Sequence, residues 1–397
     1  MRVGACSIAI ALLVACGPAI SPLPSRGGPA WTEVQSPHFT LWTDTSVERA
    51  RGLVRDLERR RQVLLAAMSR PDTRGRALVI GFRSQREVQE YTGPGFLGFA
   101  WDDDNATGQP GMMFHAEAPD AIRLINHEVT HLISHGVVRH PPRWLAEGIA
   151  GYFETAELDP GGTSVRIGLA PRSTRLLARS MRAAADLVVG CKGSCVDSAY
   201  YATSWLLFAY LLNEHFDRLA RYLQRVNELP KADHATAWRE VFPDLPPETL
   251  DRILPAWMRV GDAALPRVKV TLRDHPVTTR SLGDADVLAV RSMLELGGHD
   301  EAAARRDAEA ALAIDRTHLL ALLIRAEIAH AVSPDLAWKV TAVHRDDWRA
   351  WWLLERALRG TAEAGTARAR KCALSEDTAP GCDRPDGAPA AGSAASK

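Results

Sequence analysis

The chain has no excess of charge of either sign: Lys and Arg number 48, Asp and Glu number 48, and the formal net charge over 397 residues is zero. That absence argues against nucleic acid as the main partner, because binding to a phosphate backbone rests on a basic surface. Lysine is scarce beside arginine, which we take as codon bias rather than function. The acidic run Asp102-Asp103-Asp104-Asn105 lacks the glycine and the distal glutamate of a calcium loop, so it reads as a solvated hairpin loop. The apolar stretch within Met1 to Cys16 (MRVGACSIAIALLVAC) is too short to cross a bilayer as a mature helix. Cysteine is sparse as well, with six in the whole chain.

What is present is a constellation with metal chemistry. Residues 127–131 read His127-Glu128-Val129-Thr130-His131, and sixteen positions further on stands Glu147 in Trp144-Leu145-Ala146-Glu147-Gly148. Residues four apart share one face of a helix, so His127 and His131 can aim two imidazoles at one ion, with Glu128 beside them. A catalytic zinc takes three protein ligands and keeps its fourth position open, which makes Glu147 the third ligand and Glu128 the base. The surrounding segment, Asp120 to Gly136, has an N-terminal acid, apolar Ile122, Leu124, Ile125, Val129, Leu132 and Ile133, and a closing glycine; the spacing predicts a mostly buried helix. The plain alternative is a pair of satisfied core histidines with Glu128 paired to an arginine. His115, His135 and His140 read as structural or surface residues.

The stretch Pro141 to Glu154 (PPRWLAEGIAGYFE) resembles the helix that supplies the glutamate ligand in gluzincin metallopeptidases, both aminopeptidase N-like and peptidase MA-like. The resemblance implies zinc on His127, His131 and Glu147, with Glu128 as general base and acid. Glu154, two helical turns beyond Glu147, either orients a ligand from behind or is a solvated residue at the helix end. Further on, Ala199 to Leu212 is an apolar helix opened by Tyr200 and Tyr201. In aminopeptidase N-like enzymes a tyrosine at a comparable helix start, followed three positions later by a small residue, hydrogen-bonds the tetrahedral intermediate. Tyr201 with Ser204 fits that spacing, Tyr200 is the fallback, and ordinary core aromatics are the alternative.

The sequence departs from the aminopeptidases where they hold the substrate's free amine: Gly111-Met112-Met113-Phe114-His115 has no glutamate at the expected place. Ala146 also replaces a common asparagine. Endopeptidase chemistry is therefore the easier expectation, with this strand as the edge to which an extended peptide adds.

Leu13-Val14-Ala15-Cys16 resembles a bacterial lipoprotein signal, which implies cleavage before Cys16, a lipid on its sulfur and a membrane-anchored chain. Gly17 in place of aspartate favours the outer membrane, facing periplasm or surface. With Cys6 in the signal, Cys191 with Cys195 and Cys372 with Cys382 remain as two local pairs. In an oxidising compartment they read as short-loop disulfides; they could also be reduced, and their spacing is not that of a zinc ribbon.

The expected fold class is α+β: a gluzincin-like domain in which a small mixed sheet precedes helices, plus an all-α repeat-like C-terminal domain. The boundaries expected are a signal over 1–15, a flexible tether over 16–30, the peptidase-like domain over 31–265, a linker over 266–282, a helical region over 283–376 and a disordered tail over 377–397. Leu294 to Asp315 resembles a degenerate tetratricopeptide-type repeat, which implies a surface for a protein partner. Two functions follow. One is a zinc peptidase acting on a peptide or protein substrate; the other is a non-catalytic envelope scaffold that keeps a peptidase-like fold. Retention of Glu128, for which a scaffold has no need, favours the enzyme.

Overall fold

The computed structural model of the chain describes residues 20–68, 75–94, 98–102, 105–118, 121–135, 141–171, 181–190, 197–229, 233–260, 265–375 and 379–382. Strands β1 (Trp31–Gln35) and β2 (Phe39–Thr43) form a hairpin around Pro37, followed by α1 (Val47–Ala67), whose first turn is capped by Ser46. Next come β3 (Ala77–Phe82), α2 (Gln85–Thr92), β4 (Gly98–Trp101) and β5 (Gly111–His115). Two helices carry the candidate site, α3 (Ala121–His135) and α4 (Arg143–Phe153). They lead to short β6 (Glu157–Leu158) and β7 (Ser164–Arg166), then to α5 (Ala184–Val189), α6 (Ser198–Glu214), α7 (Phe216–Glu228), α8 (His234–Val241) and α9 (Pro247–Val260). After β8 (Arg267–Lys269) and β9 (Thr278–Leu282) the remainder is helical: α10 (Asp284–Gly297), α11 (Glu301–Ile314), α12 (Leu319–Ala329), α13 (Pro334–Val343), α14 (Trp348–Ala357) and α15 (Glu363–Leu374).

The main sheet is mixed, in the order β4-β5-β3-β2-β1-β9, with β2, β3 and β5 parallel and the other pairs antiparallel. Its inner strands are rich in β-branched and aromatic residues and are buried on both faces, as a sheet covered from two sides requires. The period of two sorts them. Val34, Leu41, Val79, Met112 and Phe114 face one core, shared with α1, α3, α4 and α6. Trp31, Trp42, Ile80, Phe82 and Met113 face a second core, shared with α10 to α12. The C-terminal helices pack closely through fully buried Ala289, Ala304, Ala308 and Ala311, whose small side chains let the axes approach. The fold is thus α+β, with its sheet clasped between two helical layers. No helix among the described residues is long and apolar enough to cross a membrane.

Three segment boundaries differ from the sequence reading. The stretch 266–282, expected as a linker, closes both sheets: β8 pairs with β7, and β9 pairs with β1 from Trp31↔Leu282 to Gln35↔Thr278. Its strands are short and mostly exposed, which is why they lack a buried pattern. The expected tether over 16–30 is docked from residue 20 onward, with Leu23 buried, the Ser21 hydroxyl donating to Glu87 at 2.9 Å and the Ser25 backbone N–H donating to Asp284 at 3.0 Å. In the expected disordered tail, Ala379 and Cys382 are buried and Cys382 forms a disulfide with Cys372. The signal over 1–15, Cys16, Cys191 and Cys195 lie outside the described residues.

The Cys372–Cys382 bridge closes a loop with a sequence separation of 10. Buried Lys371 reinforces it, pairing with Glu355 at 2.7 Å and donating to the Pro380 carbonyl. A loop of this length corresponds to about 2–3 kcal/mol of chain-entropy stabilisation. Replacing both cysteines by serine is expected to lower stability by about that amount in denaturant melts, and Cys372 and Cys382 of the native protein should be alkylated only after reduction.

Candidate metal centre

Helix α3 buries Ile125, Val129 and Ile133 against the first core, and the four-residue spacing of those residues leaves His127 and His131 on an adjoining stripe toward α4. Helix α4 is fixed by Trp144, fully buried with its ring 6.0 Å from Tyr222 and 6.2 Å from Trp238. One residue past Glu147, the α4 backbone comes so close to α6 that a Cβ on Gly148 would lie 2.6 Å from the Ser204 carbonyl oxygen and 2.9 Å from Phe208 Cβ. The glycine of the Trp-Leu-Ala-Glu-Gly run is therefore a packing requirement, and it sets how far Glu147 reaches toward α3.

The three candidate ligands converge. His127 Nε2 and His131 Nε2 are 3.2 Å apart, and Glu147 Oε2 is 3.3 Å from the first and 3.5 Å from the second. A tetrahedral ion with nitrogen and oxygen ligands at its usual bond lengths spaces neighbouring ligand atoms about 3.3 Å apart. The triangle thus matches one face of such a site, and its donor set of two imidazoles and a carboxylate suits zinc.

The electrostatics show what three lone pairs in a partly buried pocket demand. Burial works against a charged His127 imidazole, but hydrogen bonds to Glu147 and Glu154 more than offset it and push the group up to about 10. Burial likewise opposes ionisation of Glu147, yet hydrogen bonds from His127 and His131 hold its carboxyl well below the usual carboxylate range.

Glu154 stands behind His127. Its Oε2 lies 3.1 Å from His127 Nδ1, its Oε1 accepts from Arg123 at 2.8 Å, and its carbonyl oxygen accepts from the Asn126 amide at 2.9 Å. A proton held on Nδ1 by the carboxylate leaves the Nε2 lone pair free for a ligand role. Glu128 is buried, which pushes its carboxyl up, while His127 and His131 pull it back down. It lies against Gly98 of β4, where an added Cβ would sit 3.3 Å from Glu128 Oε1.

Both tyrosines sit in the first turn of α6. Tyr200 is buried, its ring edge-on to Tyr201 at 6.4 Å, and burial pushes its phenol up to about 12. Tyr201 is only half-buried. Its phenol is pushed up by burial and by Glu147, is hydrogen-bonded by Arg143, and feels Glu128 as well. Of the pair, Tyr201 is the one within the field of both site carboxylates. His115 lies on β5 with Nε2 3.2 Å from the Arg83 carbonyl oxygen, outside this cluster. The His135 side chain and His140 fall outside the described residues.

One expectation is corrected. The strand Gly111–His115 is not an edge: it is paired on both sides, to β3 and β4, because Gly111 admits the Trp101 ring and the Leu78 carbonyl where a side chain would clash. Among the described residues, the edge of the sheet on this side is β4. The sequence reading also missed Arg143, whose Nε is 3.6 Å from Glu147 Oε1, and the Arg123–Asn126 pair on Glu154. The available signals were Arg143 one helical turn before Glu147 and the Arg123, Asn126, His127 spacing on one face of α3. A cleft of about 1170 Å³ lies across β1–β2 and the C-terminal helices. Among its charged groups, Arg280 pairs with Glu33 and Asp286, and Arg349 with Asp347.

Replacing Glu154 by Gln is expected to weaken zinc binding about 10- to 100-fold in chelator competition, with the fold intact. Unchanged affinity would remove Glu154 from the site. Gly148→Ala is expected to destabilise the protein by about 1–3 kcal/mol in thermal or denaturant melts, because helix axes in contact must separate.

Residues 121–232 match a family described as "Protein of unknown function (DUF1570)". The matched span runs from the start of α3 into the α7–α8 connection and contains His127, Glu128, His131, Glu147, Glu154 and Tyr201, while the main sheet and the C-terminal helices lie outside it. Among curated proteins the comparison finds no match.

Proposed function

We propose that the chain is a zinc-dependent peptidase of gluzincin type, cleaving within peptides or proteins of the bacterial cell envelope and anchored there through Cys16. The observation that carries this reading is the triangle of His127, His131 and Glu147 with buried Glu128 on the next helical position, facing the edge strand β4. The residues fit a zinc ion held by those three side chains. Bound there, zinc supplies a Lewis acid that polarises a carbonyl and makes water acidic near neutrality.

The chain's own groups account for the rest. Glu128, whose burial makes its carboxylate a stronger base, takes a proton from the attacking water onto a carboxylate oxygen and returns it to the departing amine. Tyr201, steadied by Arg143, offers a phenol O–H to negative charge developing on the scissile carbonyl oxygen. Among the described residues the outer side of β4 is unpaired; it offers main-chain N–H and C=O groups to an extended peptide, and Gly98 keeps the approach to Glu128 open. The absence of a glutamate in Gly111–His115 leaves no acidic partner there for a free amino terminus, which favours internal cleavage. Because α10 and α12 are buried on nearly all sides, any protein partner of these helices would meet the exposed face of α11, which carries Arg305, Arg306 and Glu309.

Wild type and Glu128→Gln are to be compared for cleavage of an unstructured protein substrate and for zinc at this cluster. The expected outcome is zinc retained in both and kcat/KM lowered about 10²- to 10⁴-fold in the variant. Equal cleavage by the two proteins, or zinc at this cluster that survives His131→Ala, would overturn the reading.

A further inference from the structure

We propose that the chain carries a second divalent-metal site, formed by His38, Glu58 and His275, whose ion fastens the segment leading into β9 onto α1. The three side chains bring ligand atoms within 4.8 Å of one another. They come from separate parts of the fold: His38 from the turn between β1 and β2, Glu58 from the middle of α1, and His275 from the stretch between β8 and β9.

Glu58 is the centre of the cluster. Its side chain is 3% exposed, and a carboxylate so deeply placed is costly unless its oxygens are paired. The backbone N–H of His38 donates to Oε1 at 3.0 Å, and His38 Nδ1 lies 2.8 Å from Oε2. A second imidazole then approaches the same Oε2: His275 Nε2 stands 3.8 Å away, its ring edge-on to that of His38 at 5.5 Å. That separation is too long for a hydrogen bond. A simple His38–Glu58 pair accounts for the first contact, whereas a shared ion accounts for both imidazoles facing one carboxylate oxygen.

His275 is held at its distance by an independent clamp. The backbone N–H of Arg273 donates to Gln62 Oε1 at 2.7 Å, and Gln62 Nε2 donates to the Arg273 carbonyl at 2.9 Å. Gln62 is one helical turn after Glu58, so α1 positions both the carboxylate and the loop that delivers the second histidine. The ligand separations of 2.8 and 3.8 Å bracket the spacing of about 3.3 Å around a tetrahedral ion, and shifts of roughly half an ångström, His275 inward and His38 outward, bring both to it. The imidazoles are 15% and 20% exposed, which gives an ion an entry and room for water ligands. Two imidazoles and one carboxylate with no thiolate select zinc, nickel, cobalt or copper over calcium and magnesium.

An ion there would join the β1–β2 turn, α1 and the approach to β9 in one knot. Because β9 pairs with β1 and leads into α10, this is the joint between the two helical layers. The role is structural and independent of peptide cleavage.

Full-length protein is to be stripped with chelator, reloaded with zinc alone and assayed for bound metal per chain. Wild type is expected to hold two equivalents, His131→Ala one, His275→Ala one and the double variant none. In His131→Ala, zinc should raise the unfolding midpoint by roughly 3 °C, and this shift should vanish on adding His275→Ala. His38→Gln with His275→Gln, checked by circular dichroism, covers the case in which alanine disturbs folding. One equivalent in wild type that His275→Ala keeps and His131→Ala loses would overturn this site. One equivalent lost in His275→Ala and kept in His131→Ala would uphold it and overturn the peptidase reading instead.

Discussion

The site depends on a fixed register between α3 and α4, and Glu154 is the residue that sets it. Arg123, Asn126 and His127 stand at i, i+3 and i+4 on α3, and all three end on Glu154, two on its carboxylate and one on its carbonyl oxygen. The Arg123 pair is half-exposed and contributes little by itself. The more sheltered bonds to His127 and Asn126 act in a medium where a lost partner costs more. With Glu154 fixed, Glu147 two turns earlier falls opposite the histidine pair. A slip of one residue would turn its side chain by about 100° and leave the imidazoles facing nothing.

That register is carried outward by close packing rather than by more polar contacts. Gly148 lets α4 rest directly on α6, and α6 carries Tyr201 in its first turn, so the glycine that places Glu147 also bears on the distance to the phenol. On the other side, β4 lies along α3 with Gly98 against Glu128 and Leu124. The loop joining β4 to β5 is in turn supported from the far core: Gly108, with φ at +62°, fits under Trp348, Trp352 and Pro380, where a Cβ would meet all three at 3.0–3.2 Å. The edge strand beside Glu128 thus rests on α14 and on the loop closed by the C-terminal disulfide. The C-terminal helices are half of the support of the sheet, not an appended module.

The parts of this arrangement written in local sequence were those with a short period. His127, Glu128 and His131 fall on one helix, and the helix boundaries follow from apolar spacing, as do β2, β3 and α1. Glu147 was legible through the run of residues around it. Strand order was not, because nothing in Gly111–His115 distinguishes an inner strand from an edge; that is decided by which neighbours arrive, β3 on one side and β4 on the other. The segment 266–282 resembled a linker for a related reason. An edge strand needs few buried residues, and β9 has one, Leu282, among five. The docked residues 20–28 were hidden by a proline- and glycine-rich composition that suits a spacer as well as a short helical turn held by Glu87, Asp284 and Arg291.

The two histidine–glutamate clusters show where the line falls. Their donor chemistry is alike, yet one presents its histidines four residues apart and the other draws its ligands from positions 38, 58 and 275. In the first, helical geometry orients both imidazoles before tertiary structure forms, so the cost of ordering them is met by the helix itself. In the second, no two ligands share an element, and the carboxylate must wait for the β1–β2 turn and the β8–β9 segment to close upon α1. An ion binding only that closed arrangement stabilises the whole fold by its own affinity, whereas an ion on α3 and α4 acts on helices already held by Glu154 and Gly148. The same side chains can therefore serve chemistry in one place and cohesion in the other, and what separates the roles is the chain length that each ion spans.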